Sequence, residues 1–296
     1  VSLTRAILYF MSKNEKLRGN TPREETLLHR KNRMAAIMLS ACLIFLLCAC
    51  GGGELSSNGK YRRLETFGSE TFSIGFRNDD FVRYYVEAAL KELTADGTIH
   101  SLAIQWFSED TTTFSSDAEA LDRIGDVPSR TLIVGLDGGA FPMSYADGEG
   151  YSGFDVDVAR AVCERLGWAV KFLPIKSEDA YIELSSGNID CAWGGLTLDP
   201  ASSNYTVLPS YMTNELVLVA LSDSGIRSKG RLSGKTLAMD VDAKYLDALN
   251  SDEALKNRLN KVTRLTGGAR ACFEALDSGA ADAIIVYSAA AGYYGK

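Results

Sequence analysis

The sequence predicts an α/β fold built from layered, largely parallel sheets. Strand-like and helix-like stretches alternate from residue 131 to the end of the chain. The 296 residues are 46% apolar and 23% charged, an ordinary globular composition. A chain of this length buries roughly three quarters of its unfolded surface, so it needs no disulfide or metal staple. A net charge of −7 argues against a nucleic-acid partner, and only two His, His29 and His100, argue against a His-rich metal site. No metal or other cofactor is expected.

Residues 1–49 are set apart from the fold. Arg30, Lys31 and Arg33 precede an uncharged stretch from Met34 to Ala49. That stretch is shorter than the ~20 residues of a spanning helix and suits the apolar region of a signal peptide. It ends in Leu47-Cys48-Ala49-Cys50, followed by Gly51-Gly52-Gly53. This resembles a bacterial lipobox, which implies cleavage before Cys50 and a membrane anchor through lipid on its sulfur. The alternative is an uncleaved anchor helix. Both readings place the remainder outside the cytoplasm. Residues 1–49 hold eight of the 31 Lys/Arg and three of the 38 Asp/Glu, which leaves −12 on the rest. That balance favours solubility and disfavours anionic partners.

Residues 50–60 read as a Gly/Ser tether. TFSIGF (71–76) reads as a strand. Apolar residues at Val82, Tyr85, Val86, Ala89, Leu90 and Leu93 have helical spacing, with Gly97 placed to end that helix. Residues 99–107 read as a second helix and 108–130 as a polar linker. TLIVGL (131–136) is a strand, followed by a loop rich in Gly. Phe154–Leu166 is helical, with Gly167 as its stop. Strands at 169–174, 189–198 and 216–221 flank a short helix at 179–187. The alternation repeats through strands at 235–240, 262–265 and 282–286 and helices at 243–250, 269–279 and 288–294. Cys163, Cys191 and Cys272 read as buried free thiols, with a Cys163–Cys191 disulfide as the alternative.

VGLDGGAFPMSYADGEGYSGFDVDVARAVCERLGW and LSSGNIDCAWGGLTLDP resemble family 3 extracellular solute-binding proteins, the amino-acid receptors of ABC importers. LSGKTLAMD and ALDSGAADAIIVYS resemble that family's second lobe. The resemblance implies a two-lobed, periplasmic-binding-protein-like fold, each lobe a mostly parallel sheet flanked by helices. Residues 67–110 look like the family's C-terminal segment, so the order looks circularly permuted. The alternatives are a truncated tandem or an exchange between protomers. Lobe one is then 70–107 plus 131–216, and lobe two is 60–69 plus 217–296, with hinges near Thr71–Phe76 and Leu216–Leu221.

Ligands in open α/β sheets bind beyond the carboxyl ends of the strands. That rule, with the resemblance, selects Asp137, Phe141, Tyr145, Trp193, Gly195, Thr197, Ser202, Asp242, Lys244 and Tyr287 as ligand-binding residues. The family's carboxylate-gripping Arg falls on Ser202 and its ammonium-holding Asp on Tyr287. Lys244 offers a substitute charge for an anionic group. Asp137 offers an acid for a cationic group or, alternatively, a loop cap. Phe141, Tyr145 and Trp193 offer aromatic walls, Trp193 being equally readable as core.

The implied function is a lipid-anchored receptor that binds a small polar solute and delivers it to ABC importer membrane subunits. A sensory domain, a degenerate clamp and a dehydratase-like enzyme are the competing readings. No catalytic residue is assigned.

Overall fold

The computed structural model describes residues 59–296. The lipobox, Cys50 and most of the tether lie outside those residues. In chain order the elements are β1 (Tyr61–Phe72), β2 (Gly75–Phe76), α1 (Val82–Ala95), α2 (Thr98–Phe107), β3 (Thr131–Leu136), β4 (Gly139–Ala140), β5 (Ser144–Asp147), β6 (Gly150–Ser152) and α3 (Phe154–Leu166). There follow β7 (Ala169–Pro174), α4 (Ala180–Ser186), β8 (Cys191–Ala192), β9 (Thr206–Val207), β10 (Met212–Leu221), β11 (Thr236–Asp240), α5 (Ala243–Asn250), α6 (Glu253–Lys256), β12 (Lys261–Leu265), α7 (Gly268–Asp277), β13 (Ala283–Tyr287) and α8 (Ser288–Tyr294).

Two five-stranded sheets organise the chain. One has the order β7-β3-β8-β2-β9, the other β1-β10-β13-β11-β12. In each, three strands run parallel: β7, β3 and β8 in the first, and β13, β11 and β12 in the second. The remaining two pairings in each sheet are antiparallel. The sheets are therefore less parallel than the sequence suggests, because the strands that run between them turn back on their neighbours.

The chain passes from one sheet to the other at Ser73–Ile74 and returns at Leu208–Tyr211. The two passages are tied by bonds from Leu208 N to Ile74 O and from Tyr211 N to Phe72 O, both 2.9 Å. This corrects the expected second hinge. Leu216–Leu221 lies inside the second sheet, where β10 pairs with β1 along its length and with β13 at Leu216–Val219. The strand begins four residues earlier than its apolar run because Met212 and Asn214 are buried while Thr213 faces out.

Residues 72–107 belong with the first sheet. Val86, Leu90, Leu93, Ile99 and Ala103 share a core with Leu132, Val134, Val158 and Val162. The helical spacing read for residues 82–93 is the buried face of α1. Gly97, at φ +83°, makes the left-handed step between α1 and α2. The polar stretch 108–130 lies against this core. Phe114 stacks on Tyr211 at 4.7 Å, and Leu121 N donates to Glu92.

Each sheet contains the same device. Asp190, before β8, accepts from Ile133 N at 2.8 Å and pairs with Arg130 at 2.6 Å. Asp282, before β13, accepts from Thr236 N at 2.9 Å and pairs with Lys235 at 3.0 Å. Each carboxylate caps the start of the neighbouring strand.

All three described cysteines are free and buried, which removes the disulfide alternative. Burial pushes the Cys163 and Cys272 thiols up to about 12, so neither is a thiolate at neutral pH.

Candidate functional site

The expected strand over 189–198 ends after Cys191–Ala192, because Gly194 and Gly195 follow at φ +107° and +64°. Both glycines are required by packing as well as by conformation. A Cβ on Gly194 would stand 2.8 Å from Leu136 Cβ, and one on Gly195 would stand 2.3 Å from Ala140 Cβ. Asp137 N donates to Gly194 O, and Gly195 N donates to Asp155 Oδ2, each at 2.9 Å. The turn is thus pressed against the loop after β3 and delivers Thr197 to its far side.

Thr197 Oγ1 donates to Glu70 Oε2 at 3.2 Å. Glu70 is on β1, opposite Asn214 of β10. Asn214 Nδ2 donates to the other carboxylate oxygen at 3.3 Å. Asn214 is itself held, because its Oδ1 accepts from Ala289 N at 3.1 Å and Ser288 Oγ at 3.3 Å. Burial pushes the Tyr287 phenol up, and the neighbouring Glu70 carboxylate adds to that shift. Lys244 Nζ sits 4.7 Å from the centre of the Tyr287 ring, within cation–π range. Asp242 caps α5 by accepting from Lys244 N at 3.0 Å. Glu70, Thr197, Tyr287 and Lys244 therefore meet where the two sheets adjoin. The second sheet supplies Glu70 and Tyr287, the turn after β8 supplies Thr197, and α5 supplies Lys244.

A second cluster is aromatic. Phe141 packs on Tyr145 at 5.1 Å, on Tyr293 at 4.8 Å and on Tyr294 at 5.7 Å. Trp106 stacks on Tyr293 at 5.8 Å and meets Tyr145 edge-on at 6.3 Å. Phe141 and Tyr145 consequently join the loop after β3 to α2 and α8.

The remaining expected residues fall elsewhere. Trp193 is 0% exposed, inside the first core, so the assignment of its ring to a ligand-facing wall is corrected. Its neighbours Cys191 and Ala192 are equally buried, so the stretch is enclosed on both faces before the backbone turns at Gly194. Asp137 takes the loop-cap role, with Oδ1 accepting from Gly139 N at 2.8 Å. Ser202 closes a local turn, donating from its N to Asp199 O and accepting at Oγ from Asn204 N, each at 3.2 Å. Glu70 was missed by sequence reasoning. Its only signal was an acid two residues before the buried run Phe72–Phe76.

A groove of about 540 Å³ lies away from this site, between α1 and residues 117–124, lined by Phe81, Tyr84, Tyr85, Ala88, Ala120 and Ile124. None of the expected ligand-binding residues lines it. Among the described residues no group of three or more His, Cys, Asp or Glu is placed to hold a metal ion.

Residues 132–266 match the family of bacterial extracellular solute-binding proteins, family 3. The match covers 135 of the 296 residues, a little under half of the chain. It is 27% identical over 113 residues to the arginine-binding extracellular protein ArtP of Bacillus subtilis (strain 168), covering 38% of this chain and 44% of that protein. A probable amino-acid ABC transporter-binding protein of Haemophilus influenzae is 29% identical over 136 residues, covering 45% of this chain and 52% of its own. The chain thus spans about half the length of the curated relatives it matches. Among solved structures, a polar amino acid ABC uptake transporter substrate-binding protein from Streptococcus thermophilus is 33% identical, with a TM-score of 0.45, over 53% of this chain and 61% of that one. The matching family is one of solute-binding proteins, and both curated relatives are named as binding proteins.

Proposed function

We propose that this chain is a family 3 extracytoplasmic solute receptor that takes up a small amino acid or a derivative between its two sheets and presents it to an ABC importer. The observation that carries the reading is the Thr197–Glu70 bond. It joins the turn at the carboxyl end of β8 to the second sheet, beside Tyr287 at the carboxyl end of β13. That is the edge at which open α/β sheets bind ligands. A solute touching both sides stabilises the arrangement in which they adjoin, because only there does it gain both sets of contacts. Lys244 supplies the positive charge for a carboxylate, in place of the Arg whose position is Ser202. The relatives named for arginine binding and amino-acid transport support an amino-acid ligand.

The reading includes two further parts. Lipid on Cys50 holds the receptor at the membrane, so that residues 50–60 act as its tether. The chain order is a circular permutation of the family's, in which 60–107 supply the segment that closes the family fold and 108–130 join the old ends. The pairing of β2 with β8 and β9, and of β1 with β10, supports that order within one chain.

Thermal unfolding against a panel of amino acids, opines, polyamines and sugars tests the function. A ligand at 100 times its Kd adds ~2.7 kcal/mol. Stabilisation by at least one amino acid or derivative is expected, and no shift with any member of the panel would overturn the receptor reading in favour of a clamp without a ligand.

A further inference from the structure

We infer that Glu70 is the group that selects the ligand, and that it selects a solute bearing an ammonium or guanidinium. The inference rests on the receptor reading above and deepens it. Glu70 carries a carboxylate at the meeting point of both sheets. A carboxylate has about four acceptor positions. Thr197 Oγ1 and Asn214 Nδ2, both neutral, take two of them, and the Tyr287 hydroxyl, also neutral, bonds the same carboxylate. Among the described residues, no Lys, Arg or His forms an ion pair with Glu70, although Glu215 and Glu65 on neighbouring positions are paired, with Arg63 and Lys229. The charge is held in place by neutral partners and left without a counter-ion.

The surroundings define the missing cation. Tyr287, half-buried beside the carboxylate, offers a ring face and an oxygen, and a ring face attracts a cation. Thr197 and Tyr287 hydroxyl oxygens accept as well as donate, so an ammonium with three N–H groups can be met by the carboxylate and by both hydroxyls. A divalent metal asks for six or more oxygens, usually with several carboxylates, and among the described residues no group of three or more His, Cys, Asp or Glu is placed to hold one. Lys244 is engaged with the Tyr287 ring, 4.7 Å from its centre, and among the described residues it forms no ion pair with Glu70. One tyrosine thus neighbours two opposite charges, Glu70 and Lys244. The acid comes from β1, a strand between residue 61 and residue 72, rather than from the positions that the family resemblance marks.

The test is calorimetric titration of the full chain with L-arginine, L-ornithine and putrescine as amine probes, and succinate and glucose as amine-free probes. At least one amine probe should bind. Glu70→Gln should weaken that binding tenfold or more while leaving the unfolding midpoint without ligand within a few degrees. Lys244→Ala should weaken L-arginine or L-ornithine but leave putrescine, which has no carboxylate, unchanged. Should Glu70→Gln not fold, Thr197→Val removes the hydroxyl that orients the carboxylate and should weaken amine probes severalfold. Unaltered amine binding in Glu70→Gln, or in Thr197→Val where that variant replaces it, overturns the role of Glu70 and leaves the receptor reading standing. Binding of succinate or glucose alone overturns the amine class and again leaves the receptor. Binding of none of the five overturns both.

Discussion

Tyr211 donates its hydroxyl to Asp155 Oδ1 at 2.7 Å, deep in the first core. Gly195 N holds the other carboxylate oxygen. One buried acid thus connects a strand passage between the sheets to the turn that carries Thr197. Burial outweighs these donors and pushes the Asp155 carboxyl up to about 7.

A measurable pH dependence follows. The native chain holds the Asp155 proton more tightly than the unfolded chain, whose Asp titrates near ~3.9. The contribution to stability is therefore full below about pH 4 and is lost as pH rises through 7. A shift of about three units corresponds to ~4 kcal/mol. Asp155→Asn carries no such charge. In urea titrations the stability of wild type minus that of the variant should fall by several kcal/mol between pH 4.5 and pH 8. A constant difference across that range would refute the assignment. Asp96, held low by the Thr98 hydroxyl, and Asp252, held low by Leu255 N–H, lose their contributions only as pH falls below that window.

The two strand-capping acids should differ in cost. Asp190→Ala leaves Ile133 N and the half-buried Arg130 without their partner, an expected loss of about 2–4 kcal/mol. Asp282→Ala frees Thr236 N and a more exposed Lys235, an expected loss of about 1–2 kcal/mol. Burial raises the Asp282 carboxyl, but Thr236 N–H and Lys235 more than offset this, so it stays charged until pH falls below ~4. Equal losses in chemical denaturation would contradict this ordering.

Gly292→Ala sets two effects against each other. Ala is a better helix former than Gly by about 1 kcal/mol. A Cβ at this position of α8, however, would lie 2.7 Å from Phe107 O, a backbone atom of α2. The clash should win and destabilise by about 1–3 kcal/mol. A raised unfolding midpoint would mean that α8 does not press on α2 in solution.

Tyr293→Ala removes a ring that touches Trp106, Phe141 and Tyr294. A loss of about 2–4 kcal/mol is expected, since a half-buried aromatic costs somewhat less than a core one. The change should also alter Trp106 fluorescence. A variant with wild-type stability and spectrum would place these rings apart.

Local chemistry made much of the fold readable. Helical spacing and a terminal Gly located Phe154–Leu166, whose end is Gly167 at φ +66°. The apolar run at 131–136 is strand β3 without change. The short strands β4–β6 read as loop in the sequence, since they have too few residues for alternation to show. Glu70 was not readable for another reason. Its meaning comes from Thr197 and Asn214, which are 127 and 144 residues away. A charged side chain carries no periodicity that announces such partners. Trp193 is ambiguous in the sequence because it follows Cys191 and Ala192, a stretch buried on both faces, where no alternation separates core from cleft.

β1 and β10 run side by side from Tyr61–Leu221 to Phe72–Met212, and the two sheets are joined where this ribbon continues. Two strands bonded to each other cannot swivel independently, as single-chain connectors can. Sliding one along the other would break a ladder of hydrogen bonds, whereas flexing both together breaks none. The joint is consequently a leaf spring with one soft direction, and any opening of the molecule must follow the curvature of that ribbon.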